Sequence, residues 1–269
     1  MMPRIVAFIF GSIVGSFLNV CIHRMPNNES VVWPRSHCPH CKKRIPPSDN
    51  IPFLSYIMLG GKCRFCKQKI SLRYPLVELL TALMFVVLFD RYGVSYNLFV
   101  YIALVSGLII ATFVDIKHRI IPDEVSIGGM ILGFILCSVR GFSLDPLSFN
   151  AHPMGGSFLG IIVGGGIIWL TGFLFDAVYF KLLKRPPIQG ETESMGGGDI
   201  KLLAMIGAFF GWQRVLVAFF IAPFLGVAFG LFSLIVKKDH TIPYGPFLSI
   251  AAVLALFWTD KIIRLFILR

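Results

Sequence analysis

Charge is scarce in this chain, and acidic charge most of all. It has 14 aspartates and glutamates in 269 residues, and charged residues of both signs make up only 14%. A soluble domain carries about a quarter charged residues, so the scarcity excludes an ordinary water-soluble globular protein. A small-residue cleavage site after the first apolar run, 5–22, is also missing. That argues against a cleaved signal peptide and predicts a retained helix. No internal repeat is visible, although many transporters are built from repeated halves. No pattern of residues reveals a nucleotide-like cofactor site. What is abundant is apolar: 56% of the residues are hydrophobic and the mean hydropathy is +0.77. Several apolar runs reach or approach the roughly 20 residues that cross a bilayer as a helix. The chain reads as a polytopic, all-α membrane protein.

The candidate spans are 5–22, 75–89, 98–114, 125–139, 155–175, 200–210, 215–236 and 247–267, about eight in all. Some are short: the eleven residues of 200–210 rise only about 16 Å as a helix, so this span must borrow Asp199 and Lys201 or dip in and return. The last contains Asp260, Lys261 and Arg264, which makes its crossing the weakest. The formal net charge is +11, and membrane topology accounts for it better than nucleic acid does. Most lysines and arginines fall in the segments 23–74, 115–124 and 181–201 and at Lys237 and Lys238. With eight crossings these segments share one side, which the positive-inside rule makes cytoplasmic. The basic end (Lys261, Arg264, Arg269) runs against that rule. Three parts follow: a first transmembrane helix at 1–23, a cytoplasmic insertion at 24–74 and a membrane core at 75–269.

Two of the scarce carboxylates fall at span edges. Asp115 ends the third span and opens DIKHRIIPD; Asp199 opens the sixth, directly after Gly196, Gly197 and Gly198. Counting crossings puts both at the cytoplasmic face. A carboxylate in or beside a membrane segment is costly and points to function. Two that meet form an acid/base pair, because close carboxylates do not both ionise easily. The three glycines permit backbone shapes closed to other residues and would let a substrate backbone approach Asp199; the plainer reading is a hinge. Gly155, Gly160, Gly164, Gly165 and Gly166 read as close helix packing.

The insertion holds Cys38-Pro-His-Cys41 and Cys63-Arg-Phe-Cys66. Two CxxC hooks can supply four thiolates to a tetrahedral zinc ion. In a cytoplasmic loop zinc is favoured over disulfides. Four cysteines leave no open ligand position, so the ion is structural, with His37 and His40 flanking it. Such a site gives a small insertion folding energy that its core cannot. Cys21 and Cys137 lie in spans and read as apolar packing.

GSFLNVCIHRMP at 15–26, the paired CxxC, SLRYPLVELLTA at 71–82, DIKHRIIPD at 115–123, GGGDIKLLA at 196–204 and IPYGPFLSI at 242–250 together resemble the bacterial type IV prepilin peptidases, over nearly the whole chain. The resemblance implies an eight-helix fold of the bacterial inner membrane with a zinc-binding insertion after the first helix. It implies a GxGD-type aspartyl protease whose catalytic pair is Asp115, with Pro122 and Asp123 completing its motif, and Asp199, closing Gly196-Gly197-Gly198-Asp199. Such enzymes cut prepilins and type II secretion pseudopilins at the cytoplasmic face, after a glycine that ends a short basic leader. Many also methylate the new N-terminal residue with S-adenosylmethionine. Positions matching Gly61 and Lys62 are tied to that methylation, which rests on resemblance alone.

The nearby charges have plainer expected roles. Lys117 and Arg119 read as positive-inside anchors and Lys201 as a headgroup or loop residue. Asp123 is placed to cap the following helix. Glu78 reads as a buried partner for a basic residue, or as a substrate or methylation residue. Three rivals accompany this reading: a transporter or proton pathway using membrane carboxylates, an assembly scaffold with a zinc docking loop, and a peptidase lacking the methylation step.

Overall fold

The computed structural model describes residues 2–139, 153–183, 195–236 and 243–267. The expected cytoplasmic charges Lys184, Arg185, Lys237 and Lys238, together with Arg269 and the side chains of Asp260 and Arg264, lie outside the described residues. Among the described residues every long element is helical: α1 (Met2–Arg24), α2 (Leu54–Met58), α3 (Arg73–Tyr92), α4 (Tyr96–His118), α5 (Asp123–Ser138), α6 (Pro153–Asp176), α7 (Gly197–Val236) and α8 (Gly245–Ile267). The chain divides into two compact units, Met1–Val114 and Asp115–Arg269.

In the first unit α1 and α3 pack closely because small residues line the contact. A Cβ on Gly11 would lie 2.8 Å from the Ala82 backbone, and one on Gly15 would lie 2.7 Å from the Glu78 backbone. Asn19 donates to the Tyr74 carbonyl at 3.0 Å, and Arg4 and Asp90 pair at 2.7 Å. The contacts run in opposite order along the two helices, so the pair is antiparallel. Buried Arg24 ends α1 and donates to the carbonyls of Ser30 (2.8 Å) and Pro34 (2.6 Å), which folds the start of the insertion back onto the helix.

In the second unit α6 and α7 make the closest approach. A Cβ on Gly160 would overlap the Gly207 carbonyl, and one on Gly164 would overlap the Leu203 carbonyl. Gly160 and Gly164 are four apart on α6, as Leu203 and Gly207 are on α7, so small residues at one-turn spacing let the backbones touch. Gly160 and Gly164 have the packing role expected of the α6 glycines, whereas a Cβ on Gly155 or Gly166 would meet nothing within 4 Å among the described residues. Helix α7 is broken at Gly211, whose φ of 74° and ψ of 175° are open to glycine alone. The break falls between the two runs that the sequence separates there, 200–210 and 215–236. Cys21 and Cys137 are buried, as expected; Cys137 lies 3.7 Å from the Phe209 carbonyl.

Four stretches are long and apolar enough to cross a membrane: Met2–Asn27, Tyr96–His118, Met154–Tyr179 and Gly197–Leu231; Gly245–Thr259 is a shorter apolar helix. The chain is a membrane protein on this ground. Two other expected spans are helical without meeting that measure. Helix α3 carries Glu78, Asp90 and Arg91, and α5 has only 16 residues and begins Asp123-Glu124.

Candidate functional site

Asp115 occupies the last turn of α4 and is buried, with 6% of its surface exposed. The helix stops just after it: Arg119 takes a left-handed φ of 56° and its N–H donates to the Asp115 carbonyl at 2.9 Å. The Asp115 carboxylate accepts a hydrogen bond at Oδ2 from the backbone N–H of Gly245, 2.9 Å away at the start of α8. A side chain at 245 would put its Cβ 2.7 Å from that oxygen, so glycine is required for the approach.

Asp199 sits in the first turn of α7, where its N–H donates to the Gly196 carbonyl at 3.0 Å. The Asp115 and Asp199 carboxyls are near enough for their charges to interact. Tyr244, the neighbour of Gly245, lies within the field of Asp199; burial, with the Asp199 charge adding to it, pushes the Tyr244 phenol up to about 12, so it stays a neutral donor. The Tyr244-Gly245 turn thus holds the Asp115 carboxylate through the Gly245 N–H and lies within the field of Asp199.

The three glycines before Asp199 do not adopt the unusual backbone expected of them. None has a left-handed φ, and Gly197 and Gly198 already belong to α7. Their use is steric. Among the described residues nothing lies within 4 Å of a Cβ placed on Gly197, and one on Gly196 would meet Asp199 Oδ2 at 3.5 Å. A Cβ on Gly198 would press on Ile121 at 3.3 Å.

Two expected roles for nearby charges are corrected. Asp123 makes no side-chain cap on α5, because Pro122 takes the capping position and Asp123 instead pairs with Lys201 at 2.7 Å. Lys201 therefore ties α7 to the segment after Asp115 rather than facing headgroups alone. The pair is half exposed and contributes only about 0–1 kcal/mol, so its effect is on position. Among the described residues Glu78 has no basic partner: it accepts from the Phe53 N–H at 3.1 Å and from Ser16.

The four cysteines come together in the first unit. Cys38, Cys41, Cys63 and Cys66 place all four sulfurs within 4.8 Å of one another, with Cys38 and Cys66 at 3.9 Å. Tetrahedral zinc with Zn–S bonds of about 2.3 Å spaces its sulfurs about 3.8 Å apart. Each CxxC sits on the same tight turn. Cys38 N–H donates to Lys43 and Cys63 N–H to Gln68, Lys42 and Lys67 follow the second cysteines with left-handed φ, and isolated bridges His37–Arg44 and Lys62–Lys69 close the bases. The N–H groups of Cys66 and Phe65 draw the Cys63 thiol down to about 6. The Gln68 N–H pulls Cys66 the same way, yet desolvation and the sulfurs of Cys63, Cys41 and Cys38 outweigh it and hold Cys66 at about 11. Four thiolates this close need a cation, so the residues fit zinc. His37 and His40 are not in the cluster.

Gly61 and Lys62 lead into the second turn. Gly61 has a φ of +66° and donates to the Tyr56 carbonyl at 2.9 Å. An open groove beside the first turn is lined by Trp33, Arg35, His37, Lys42 and Arg44, and neither Gly61 nor Lys62 reaches it.

Sequence reasoning gave no role to Tyr244 or Gly245. The available signal was a glycine held between prolines in Pro243-Tyr244-Gly245-Pro246, which marks a fixed turn but not what the turn faces.

Comparison with known proteins covers both units. Residues 9–92 match the bacterial peptidase A24 N-terminal domain, and residues 102–231 match the type IV leader peptidase family. A prepilin leader peptidase/N-methyltransferase of Aeromonas salmonicida is 33% identical, with 96% of this chain and 91% of the relative covered. Proteins with that description from Pseudomonas aeruginosa (34% identical, 96% and 91% covered) and Bacillus subtilis (33%, 97% and 97%) are similarly related. No solved structure matches the chain.

Proposed function

Because the chain belongs to the type IV leader peptidase family, we propose that it removes the short basic leader from prepilins and pseudopilins and methylates the N-terminus so exposed. Cleavage follows a glycine at the cytoplasmic face of the bacterial inner membrane. The observation that supports this reading is that Asp115, held by the Gly245 N–H, and Asp199 are near enough for their charges to interact. In this topology α1, α3, α4, α5, α6, the two arms of α7 and α8 make eight crossings among membrane lipids.

The chemistry is peptide hydrolysis by a carboxyl pair sharing one proton. The ionised member takes a proton from water, and the oxygen adds to the scissile carbonyl carbon. The protonated member donates to the carbonyl oxygen. A proton then returns to the departing amine as the C–N bond breaks. Gly245 N–H fixes the Asp115 carboxylate, and the open space beside Gly196 and Gly197 admits an extended substrate backbone. Only the macroscopic titration of the pair has meaning.

The Cys38, Cys41, Cys63 and Cys66 thiolates would hold zinc with no open position, so the ion supplies folding energy to the insertion. S-adenosylmethionine supplies the methyl group when bound, with Gly61 and Lys62 assigned to that step. The test is to incubate the purified full chain with one prepilin, with and without S-adenosylmethionine, and weigh the product. Cleavage is expected in both, and the added mass of one methyl group only with the cofactor. A methylated product without it, or no cleavage in either, overturns the reading.

Gly245→Ala is expected to lower the cleavage rate by roughly tenfold to a hundredfold, because the new Cβ displaces the Asp115 carboxylate and small misplacements carry penalties of that size. Displacing the carboxylate also leaves the Gly245 N–H unpaired at about 1–3 kcal/mol, so a modest fall in melting temperature should accompany a rate loss too large for it to explain. Rate and detergent melting curve, measured together, check this.

A further inference from the structure

We propose that residues 51–61 of the zinc-bearing insertion form a re-entrant segment that enters the bilayer alongside α1 and is pinned there by Glu78. The first observation is depth. The Phe53 ring stacks on Phe8 with centroids 5.9 Å apart. Phe8 lies sixteen residues before Arg24, the last residue of α1, which is about 24 Å along a helix. The hydrocarbon core is about 30 Å thick, so Phe53 meets α1 well inside it. Around Phe8, α1 presents Ile5, Val6, Ile9, Phe10 and Ile13 outward, each more than half exposed, as a lipid-facing surface does.

The second observation is composition. Residues 51–61, IPFLSYIMLGG, hold no charge, although basic residues crowd the rest of the insertion. Ile51, Leu54, Ile57 and Met58 are exposed, the last two at 73% and 76%. Water makes such a face unfavourable at about 25 cal/mol per Å²; lipid removes that cost. The occupant is the bilayer itself, because the patch continues the exposed apolar face of α1.

The third observation is backbone satisfaction, which lipid demands. The N–H groups of Leu54, Ser55, Ile57, Leu59, Gly60 and Gly61 all donate to carbonyls within the segment. Gly60 and Gly61, at φ of +58° and +66°, turn the chain back toward Lys62. Phe53 bonds outside the segment. It holds a left-handed φ of 58°, and its N–H goes to buried Glu78 at 3.1 Å. Glu78 therefore has a positioning role, in which a membrane carboxylate takes an N–H at the entry point that the segment does not bond itself.

A fluorescent non-canonical residue placed at 57 in the full chain, reconstituted in phosphatidylglycerol-containing vesicles, tests this. Brominated lipids should quench it as they quench the same residue at 13, and aqueous iodide should quench it far less than at 29. Iodide quenching equal to that at 29, or no response to brominated lipid, overturns the insertion; the second outcome would place protein over the patch. Glu78→Ala should open position 57 to iodide with zinc content unchanged, while Glu78→Gln keeps an acceptor for Phe53 and should not. Equal shielding in both variants would remove Glu78 from the account.

Discussion

Asp115→Asn and Asp199→Asn are each expected to abolish leader cleavage while the chain still folds and inserts. An amide neither takes a proton from water nor delivers one, and a positioned acid or base contributes about 10²- to 10⁴-fold to rate. In a dyad both roles fail together, so each single change should cost nearly as much as the double one. Asparagine is the cleaner probe at 115. Its carbonyl can still accept the Gly245 N–H now given to Asp115 Oδ2 at 2.9 Å. Alanine would leave that buried N–H unpaired at about 1–3 kcal/mol and would mix a folding defect into the readout. Cleavage of a prepilin by purified variants, beside their melting curves, checks this. Substantial turnover by either asparagine variant would remove the dyad.

The second large effect is expected at the cysteine cluster. Cys38→Ser with Cys41→Ser, or Cys63→Ser with Cys66→Ser, removes two of four ligands and should release the metal. Structural zinc contributes about 10–16 kcal/mol to small domains at neutral pH, more than this insertion offers otherwise. Close to the cluster its side-chain ties are Arg64 with Asp49 at 2.6 and 2.5 Å and the Lys43 ammonium 5.1 Å from the Phe65 ring; the Arg24, Glu78 and Phe8 contacts hold other parts of the insertion. The Lys43 contact lies at the surface, where a cation over a ring contributes about 1 kcal/mol or less. Elemental analysis should find one zinc per wild-type chain and none in either double variant, and proteolysis should cut the insertion first. Full zinc content after either change would refute the site.

How much was legible follows from the range of each signal. The cysteine cluster was readable because its ligands repeat one local turn, C-x-x-C-K, at Cys38–Lys42 and Cys63–Lys67. The aspartates were readable because a charge at the end of an apolar run is rare enough to notice. Helix order was readable as well, down to the break at Gly211, where Trp212, Gln213 and Arg214 interrupt the apolar run. Contacts across long sequence distances were not. Nothing near Asp115 announces Gly245, 130 residues away, and nothing near Lys201 announces Asp123. The cap expected at Asp123 and the headgroup or loop role expected of Lys201 came from immediate neighbours, and the two residues pair with each other instead. The unusual backbone that Gly196, Gly197 and Gly198 permit is not adopted, since none of them has a left-handed φ.

The central claim is that Asp115 and Asp199 meet. The direct measurement replaces both with cysteine in a chain lacking Cys21 and Cys137, applies a short bifunctional thiol reagent in membranes, and identifies joined peptides by mass spectrometry. A pair at 123 and 201, whose native side chains lie 2.7 Å apart, serves as the positive control. A 115–199 link formed as readily as the control is the expected result. No 115–199 link under conditions that join 123 to 201 would contradict the account.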